Sequence, residues 1–404
     1  MYDMCEPQDG VPAILIVGPR GCGKTTTART HAGSLLRLDR PAERGVALAD
    51  PDAAIAVGKR PLLIDEWQLA PEVLGAVKRA VDLDFSPGQF ILTGSARTDL
   101  LTPGWAGTGR VIRLAMWGMT ERELRGAGTS SGFLGLAGDR DAKMPTISDA
   151  PDIREYAALA LRGGLPQIAT SASAPRRARL LDAYVDQLVT RDVELSGSRV
   201  NPALLRTYLR ALAASSAGIP STERLIEATN LDRSTVQRYD AVFESLMVSE
   251  RLPAYGANRL NRIASRPKRY LTEPGLLGPL LGIDERAAMR DVDLLGRLID
   301  TYVAAQIRPE LELIYPKPRL MHLRDANGDH EVDLVVEYPD GSVLGIEIKA
   351  DATPGREAGR HLRWMAQRLG HDLRRGIVLH TGPRSFQYEA SIWYLPISTL
   401  WAAP

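Results

Sequence analysis

The sequence predicts an α/β protein of several domains: an open parallel sheet at the N-terminus, a helical middle and a second α/β domain at the C-terminus. Three observations carry this expectation. The apolar run VPAILIV (11–17) leads straight into the glycine-rich GPRGCGKTT. Residues 151–250 place apolar side chains at helical spacing. HEVDLVVEYPDGSVLGIEIKA (330–350) alternates apolar and charged residues about a PDG turn. At 404 residues the chain is too long for one ordinary core.

Composition narrows the class. Hydrophobic residues make up 44% and charged residues 25%, as in a folded soluble protein. A formal net charge of +1 excludes a uniformly basic chain, so any polyanion-binding surface must be local. Cys5 and Cys22 are too few for a disulfide framework or a zinc cluster, and the six histidines lack metal-ligand spacing. The N-terminal MYDMCEPQDG is polar and acidic, unlike a secretory leader. VPAILIVG is too short to span a bilayer. A cytoplasmic protein in a reducing interior, with no membrane partner, is expected.

VPAILIV reads as a strand buried on both faces. Four residues separate Gly18 from Gly23-Lys24-Thr25, the spacing of a phosphate-binding loop. Gly18, Pro19, Arg20, Gly21, Cys22, Gly23, Lys24, Thr25 and Thr26 are therefore candidate nucleotide contacts. Glycines let the backbone wrap so that N–H groups point at phosphate oxygens, and Lys24 adds a point charge at the β and γ phosphates. The Thr25 hydroxyl is a Mg²⁺ ligand, and ATP with Mg²⁺ is the expected cofactor pair. TTARTHAGSLL is expected to continue as a helix facing the phosphates. In RPLLIDEWQ, Leu62–Ile64 form a strand that ends in Asp65 and Glu66. Asp65 is placed to hold Mg²⁺ through water and Glu66 to deprotonate the attacking water; the alternative is two acids capping the next helix. QFILTGSA is a further strand, whose Thr93 and Ser95 end near the γ-phosphate or simply close a turn.

Strand, phosphate loop, helix, acidic strand and polar-tipped strand resemble the AAA+ class of P-loop ATPases. The resemblance implies a homo-oligomer or ring and an arginine donated by a neighbour. Arg110 is the first candidate for that arginine and Arg97 the second, with a surface salt bridge as the alternative for either.

GAGTSSGFLGLAGDRDAKMPT reads as an irregular insertion. DIREYAALALRGGLPQ gives a helix ending at Gly163-Gly164, and RRARLLDAYVDQLVTRDVEL another; both suit a lid. Residues 201–255 read as three helices and a strand, a helix-turn-helix whose wing is ERLPAYGAN. Arg233, Ser234, Gln237 and Arg238 share the polar face of its third helix, opposite Val236, Tyr239, Val242, Phe243 and Leu246. DNA contact and protein contact both remain open for such a face. The run NRLNRIASRPKRY adds Arg259, Arg262, Arg266, Lys268 and Arg269 with no acid among them, flanked by Tyr255 and Tyr270.

GRLIDTYVAAQIRPELELI is an amphipathic helix carrying Asp300. On the hairpin after it, Asp333 faces the same way as Glu347 and Lys349. Two carboxylates, Asp333 and Glu347, suit Mg²⁺, and Lys349 suits a water-positioning role. This hairpin resembles the PD-(D/E)XK nuclease core, an acid followed by acid-x-Lys on the next strand. The alternatives are a structural ion-pair cluster or a nuclease-like fold that no longer cuts. Asp300 departs from the glutamate favoured at that helix position in the resembled families.

End to end, the chain resembles the bacterial and archaeal family of AAA+ ATPases with a C-terminal domain of unknown function. GPRGCGKTT, LLIDEWQ, ILTGSA, GGLPQ, RLPAY, RPKRYLTEPGLL and EVDLVVE…IEIKA carry that resemblance. It implies an ATPase core (1–125), an irregular insertion (126–150), a helical lid (151–200), a winged helix-turn-helix (201–260) and a restriction-endonuclease-like α/β domain (261–404). The expected function is ATP hydrolysis coupled to binding and cutting of nucleic acid. The alternative is an ATP-gated DNA- or protein-binding regulator of the conflict or toxin–antitoxin type, with a small protein partner and no cutting.

Overall fold

Short apolar runs build the first sheet. β1 (Ala13–Val17), β2 (Ser34–Arg37), β3 (Leu62–Asp65), β4 (Phe90–Gly94) and β5 (Val111–Ala115) lie in the order β2-β3-β4-β1-β5, and every pairing is parallel. Alternate residues of β1 enter different cores. Ala13, Leu15 and Val17 join Val73 and Val77, whereas Ile14 and Ile16 join Ala28, Leu63 and Ile91. A strand buried on both faces explains the unbroken apolar run. The computed structural model describes residues 10–94, 109–127, 132–147, 149–192, 201–256, 265–325, 327–389 and 391–402, without the side chains of 191 and 192. The expectations on Ser95, Arg97, Arg259 and Arg262 lie outside these residues.

The helix after the loop is shorter than expected, Lys24–Arg29, and SLLR is strand β2. The cause lies at Gly33, whose N–H donates to the Pro61 carbonyl at 2.8 Å. A Cβ there would stand 2.6 Å from the Arg60 carbonyl oxygen. The chain must pass close beside β3 at this point, and only glycine permits it. β5 carries little sequence signal because it is an edge strand with half-exposed side chains.

The chain forms two compact units, residues 1–117 with 245–247, and residues 118–244 with 248–404. The second unit begins with short helices. Part of the expected irregular insertion is ordered: Phe133–Gly138 is helical, Phe133 and Leu134 are buried, and the Leu134 N–H donates to Glu310 at 2.7 Å. Ile153–Arg162 starts at Asp152, whose carboxylate accepts two N–H groups, and ends at Gly163 with φ 69°. Ala174–Gln187 follows. The helices expected as a lid pack inside this unit, where the Tyr156 hydroxyl accepts the Ser398 N–H at 2.9 Å.

Pro202–Ala214, Thr222–Thr229 and Arg233–Ser245 are the next helices, followed by β6 (Ser249–Leu252) and β7 (Lys268–Leu271), paired antiparallel. The long helix Val292–Glu310 precedes the last sheet. β8 (Arg319–Arg324), β9 (Glu331–Glu337), β10 (Val343–Lys349), β11 (Leu373–His380), β12 (Phe386–Glu389) and β13 (Ile392–Pro396) lie in the order β12-β13-β11-β10-β9-β8. β9 and β10 form the expected hairpin, and β10 runs parallel to β11. A Cβ on Gly345 would stand 2.8 Å from Leu362 Cδ2, so the bare glycine seats the Arg360–Leu369 helix on the sheet. Both faces of the hairpin are therefore buried. Among the described residues, no helix is long and apolar enough to cross a membrane.

Candidate functional site

The first site stands at the C-terminal ends of the parallel strands, where ligands bind such sheets. Gly18 follows β1 directly, and a Cβ on it would stand 2.1 Å from the Met116 carbonyl oxygen. Gly21 (φ 74°) and Gly23 (φ 104°) hold left-handed backbone, which wraps the loop. The buried Lys24 ammonium donates to the Gly18 and Pro19 carbonyls, both at 2.9 Å. Cys22 is buried, and burial pushes its thiol up despite Lys24.

Asp65 ends β3 beside Thr93 of β4, its register partner. One carboxylate oxygen, Oδ1, accepts both the Thr25 hydroxyl at 2.7 Å and the Thr93 hydroxyl at 2.5 Å. Hydroxyl and carboxylate oxygens are the donors that Mg²⁺ prefers, so Thr25 and Asp65 fit such an ion. Glu66 follows with φ 59°, a strained position for a non-glycine residue. Burial raises its pKa, opposed by a hydrogen bond from the Gln68 amide and by the Lys24 charge. Gln68 was not foreseen; in the sequence it is one polar residue after a tryptophan. Arg110 forms an ion pair with Asp82.

The second constellation lies in the second unit. Asp300, Asp333, Glu347 and Lys349 do come together, but around a fifth residue. Lys268 Nζ lies 2.7 Å from Asp300 Oδ2 and 2.9 Å from Asp333 Oδ1, with the lysine only 1% exposed. The Tyr270 hydroxyl donates to Asp300 Oδ1 at 2.8 Å, and the Ile348 N–H to Asp333 Oδ2 at 2.9 Å. Lys349 Nζ donates to Glu347 Oε2 at 2.7 Å. Burial pushes Asp300 up, whereas at Asp333 the Lys268 and Lys349 charges outweigh burial and hold it low. Burial and the Asp333 charge raise Glu347 to about 8.

This donor set does not fit a divalent ion. All four oxygens of Asp300 and Asp333 already accept hydrogen bonds. Among the described residues, no group of three or more His, Cys, Asp or Glu is arranged to hold a metal.

The basic run is corrected in the same place. Lys268 and Arg269 are not free phosphate contacts, because each is buried in an ion pair. Arg269 makes a bidentate pair with Asp240, at 2.5 and 2.7 Å, and Asp240 also accepts the Tyr208 hydroxyl. Tyr270, 1% exposed, is unavailable for stacking on a base. Arg266 is exposed. On the Arg233–Ser245 helix, Arg233, Ser234, Gln237 and Arg238 are exposed while Val236, Tyr239, Val242 and Phe243 are buried, as the spacing predicts. Arg233 pairs with Glu223 at 2.6 Å.

Comparison with known proteins gives three family matches along the chain. Residues 11–125 match the family model described as AAA domain. Residues 153–287 match a domain of unknown function, DUF8612, which spans both helical segments and the β6–β7 pair. Residues 295–400 match another, DUF4143. Uncharacterized protein Rv2008c of Mycobacterium tuberculosis and uncharacterized protein Mb2031c of Mycobacterium bovis are each 32% identical to the chain over 350 residues, covering 85% of the chain and 71% of the relative.

Proposed function

The chain belongs to one family with these mycobacterial proteins and itself joins an AAA domain to a C-terminal DUF4143 domain, and from that premise we propose that it is an ATP-hydrolysing switch controlling a nucleic-acid-binding second unit. The observation that carries the nucleotide half is the Thr25–Asp65–Thr93 cluster beside the Lys24 loop. The loop N–H groups and the Lys24 ammonium bind the phosphates. Thr25 and Asp65 would hold the Mg²⁺ that accompanies ATP, and the ion would supply charge neutralisation at the phosphoryl oxygens. Glu66 takes the proton of the attacking water, a role that its burial favours. Thr93 holds Asp65 in place.

In the second unit, Arg233, Ser234, Gln237 and Arg238 offer an exposed polar helix face for phosphate and base edges, and Arg266 is a further exposed cation of the same unit. The β8–β13 sheet with its Asp333, Glu347 and Lys349 resembles a nuclease core, but its donor set favours the reading in which it binds without cutting. Assembly into a ring that uses Arg110 would require that residue to leave Asp82.

Nucleotide binding, turnover and DNA retention test this reading on the full chain. Lys24→Ala should lose ATP binding, and Glu66→Gln should bind ATP without hydrolysing it. Retention of duplex or single-stranded DNA should change with ATP in the wild type and not in Lys24→Ala. Normal turnover in Glu66→Gln would remove the base assignment, and retention that ignores ATP would remove the switch.

A further inference from the structure

Lys268 belongs to β7, outside the six-stranded sheet, yet its ammonium sits between carboxylates of two other elements. Asp300 comes from the Val292–Glu310 helix and Asp333 from β9. The 2.7 and 2.9 Å separations are those of charge-assisted hydrogen bonds. One further feature shows that the pocket is built around a cation. Tyr270, on the same side of β7, takes the second oxygen of Asp300, so the carboxylate is oriented toward Lys268.

We propose that Lys268 is a resident counter-ion occupying the cation position of this acidic centre, and that its removal would open Asp300 and Asp333 to a hard divalent cation. The argument is one of place and donor chemistry. Asp300 Oδ2 and Asp333 Oδ1 both lie within 2.9 Å of one point, now the lysine nitrogen. Mg²⁺ or Mn²⁺ needs carboxylate oxygens at about 2.1 Å, a small contraction of that spacing. An ammonium and a divalent ion cannot share the point, so the docked β7 strand and the ion compete for the same carboxylates. The second unit thus keeps its nuclease-like centre metal-free with its own chain, a proposal independent of the nucleotide reading.

Mn²⁺ titration followed by electron paramagnetic resonance, on full-length protein without nucleotide, tests this. An Asp65→Asn background removes the N-terminal carboxylate. With Lys268 intact, no stoichiometric Mn²⁺ should bind. Adding Lys268→Ala should create one site per chain, and Mn²⁺ should raise the melting temperature of that variant by about 5 °C. Further Asp333→Asn should abolish both effects. One Mn²⁺ bound in the presence of Lys268 and lost in Asp333→Asn would overturn the proposal, and so would a folded Lys268→Ala chain that binds none. If Lys268→Ala folds only with millimolar Mn²⁺, the proposal stands; if Mn²⁺ fails to rescue it, the proposal falls.

Discussion

Asp65 and Asp333 each stand where a strand ladder gives way to side-chain chemistry, and each accepts two hydrogen bonds. Around Asp65 the donors are the hydroxyls of Thr25 and Thr93, and the nearby Lys24 turns to backbone carbonyls. Around Asp333 they are the Lys268 ammonium and the Ile348 N–H. A hydroxyl is neutral and can share a metal with the carboxylate it touches, whereas an ammonium competes with one. Carboxylates with similar sequence neighbourhoods thus yield one centre open to a ligand and one closed by charge. The difference lies in which elements deliver the third partner.

The largest expected effect separates the two lysines. Lys268→Met should lower unfolding free energy by about 3–5 kcal/mol, because Asp300 and Asp333 lose their buried counter-ion. Urea denaturation measures it, and a cost near that of a surface pair would break the contrast. Lys24→Ala should do the reverse. It should cut affinity for a non-hydrolysable ATP analogue by roughly 100-fold, equivalent to about 2.7 kcal/mol, with little change in stability.

A smaller effect concerns pH. Burial raises Glu310 to about 7 from the ordinary 4.5. Its folded form therefore holds a proton that the unfolded chain releases, so its contribution to stability is full below about pH 4.5 and is lost as pH rises through 7. His322, pushed down to about 4 by burial, works the other way: its contribution is present above pH 6.5 and lost as pH falls through 4. Glu310→Gln should accordingly melt higher relative to wild type at about pH 8 than at about pH 5. An equal difference at both values would place the carboxyl in solvent. The smallest effect belongs to the exposed Arg110–Asp82 pair, where Asp82→Ala should change stability by about 0.5 kcal/mol or less.

Which parts could be read from sequence follows from range. β1 and its loop depend on neighbouring residues, and so does the polar face of the Arg233–Ser245 helix; their spacing sufficed. SLLR failed because two leucines between polar residues fit a helix end or a strand equally well, and the deciding contact, Gly33 against Arg60, is 27 residues away. Lys268 and Arg269 failed for the same reason on a larger scale. Counting charge along NRLNRIASRPKRY finds no acid, yet the acids that neutralise these residues are Asp240, Asp300 and Asp333. Only the alternation Lys-Arg-Tyr hinted that successive side chains of β7 point to opposite faces.

That alternation bears on how the second unit comes apart. On one face of β7, Lys268 and Tyr270 hold the long helix and β9; on the other, Arg269 holds Asp240 of the Arg233–Ser245 helix. Neither face can let go while the strand stays in register. Amide hydrogens of β7, of the helix around Asp240 and of β9 should then exchange with solvent through one shared opening event, not three. A four-residue strand would set the cooperativity of a unit more than sixty times its length.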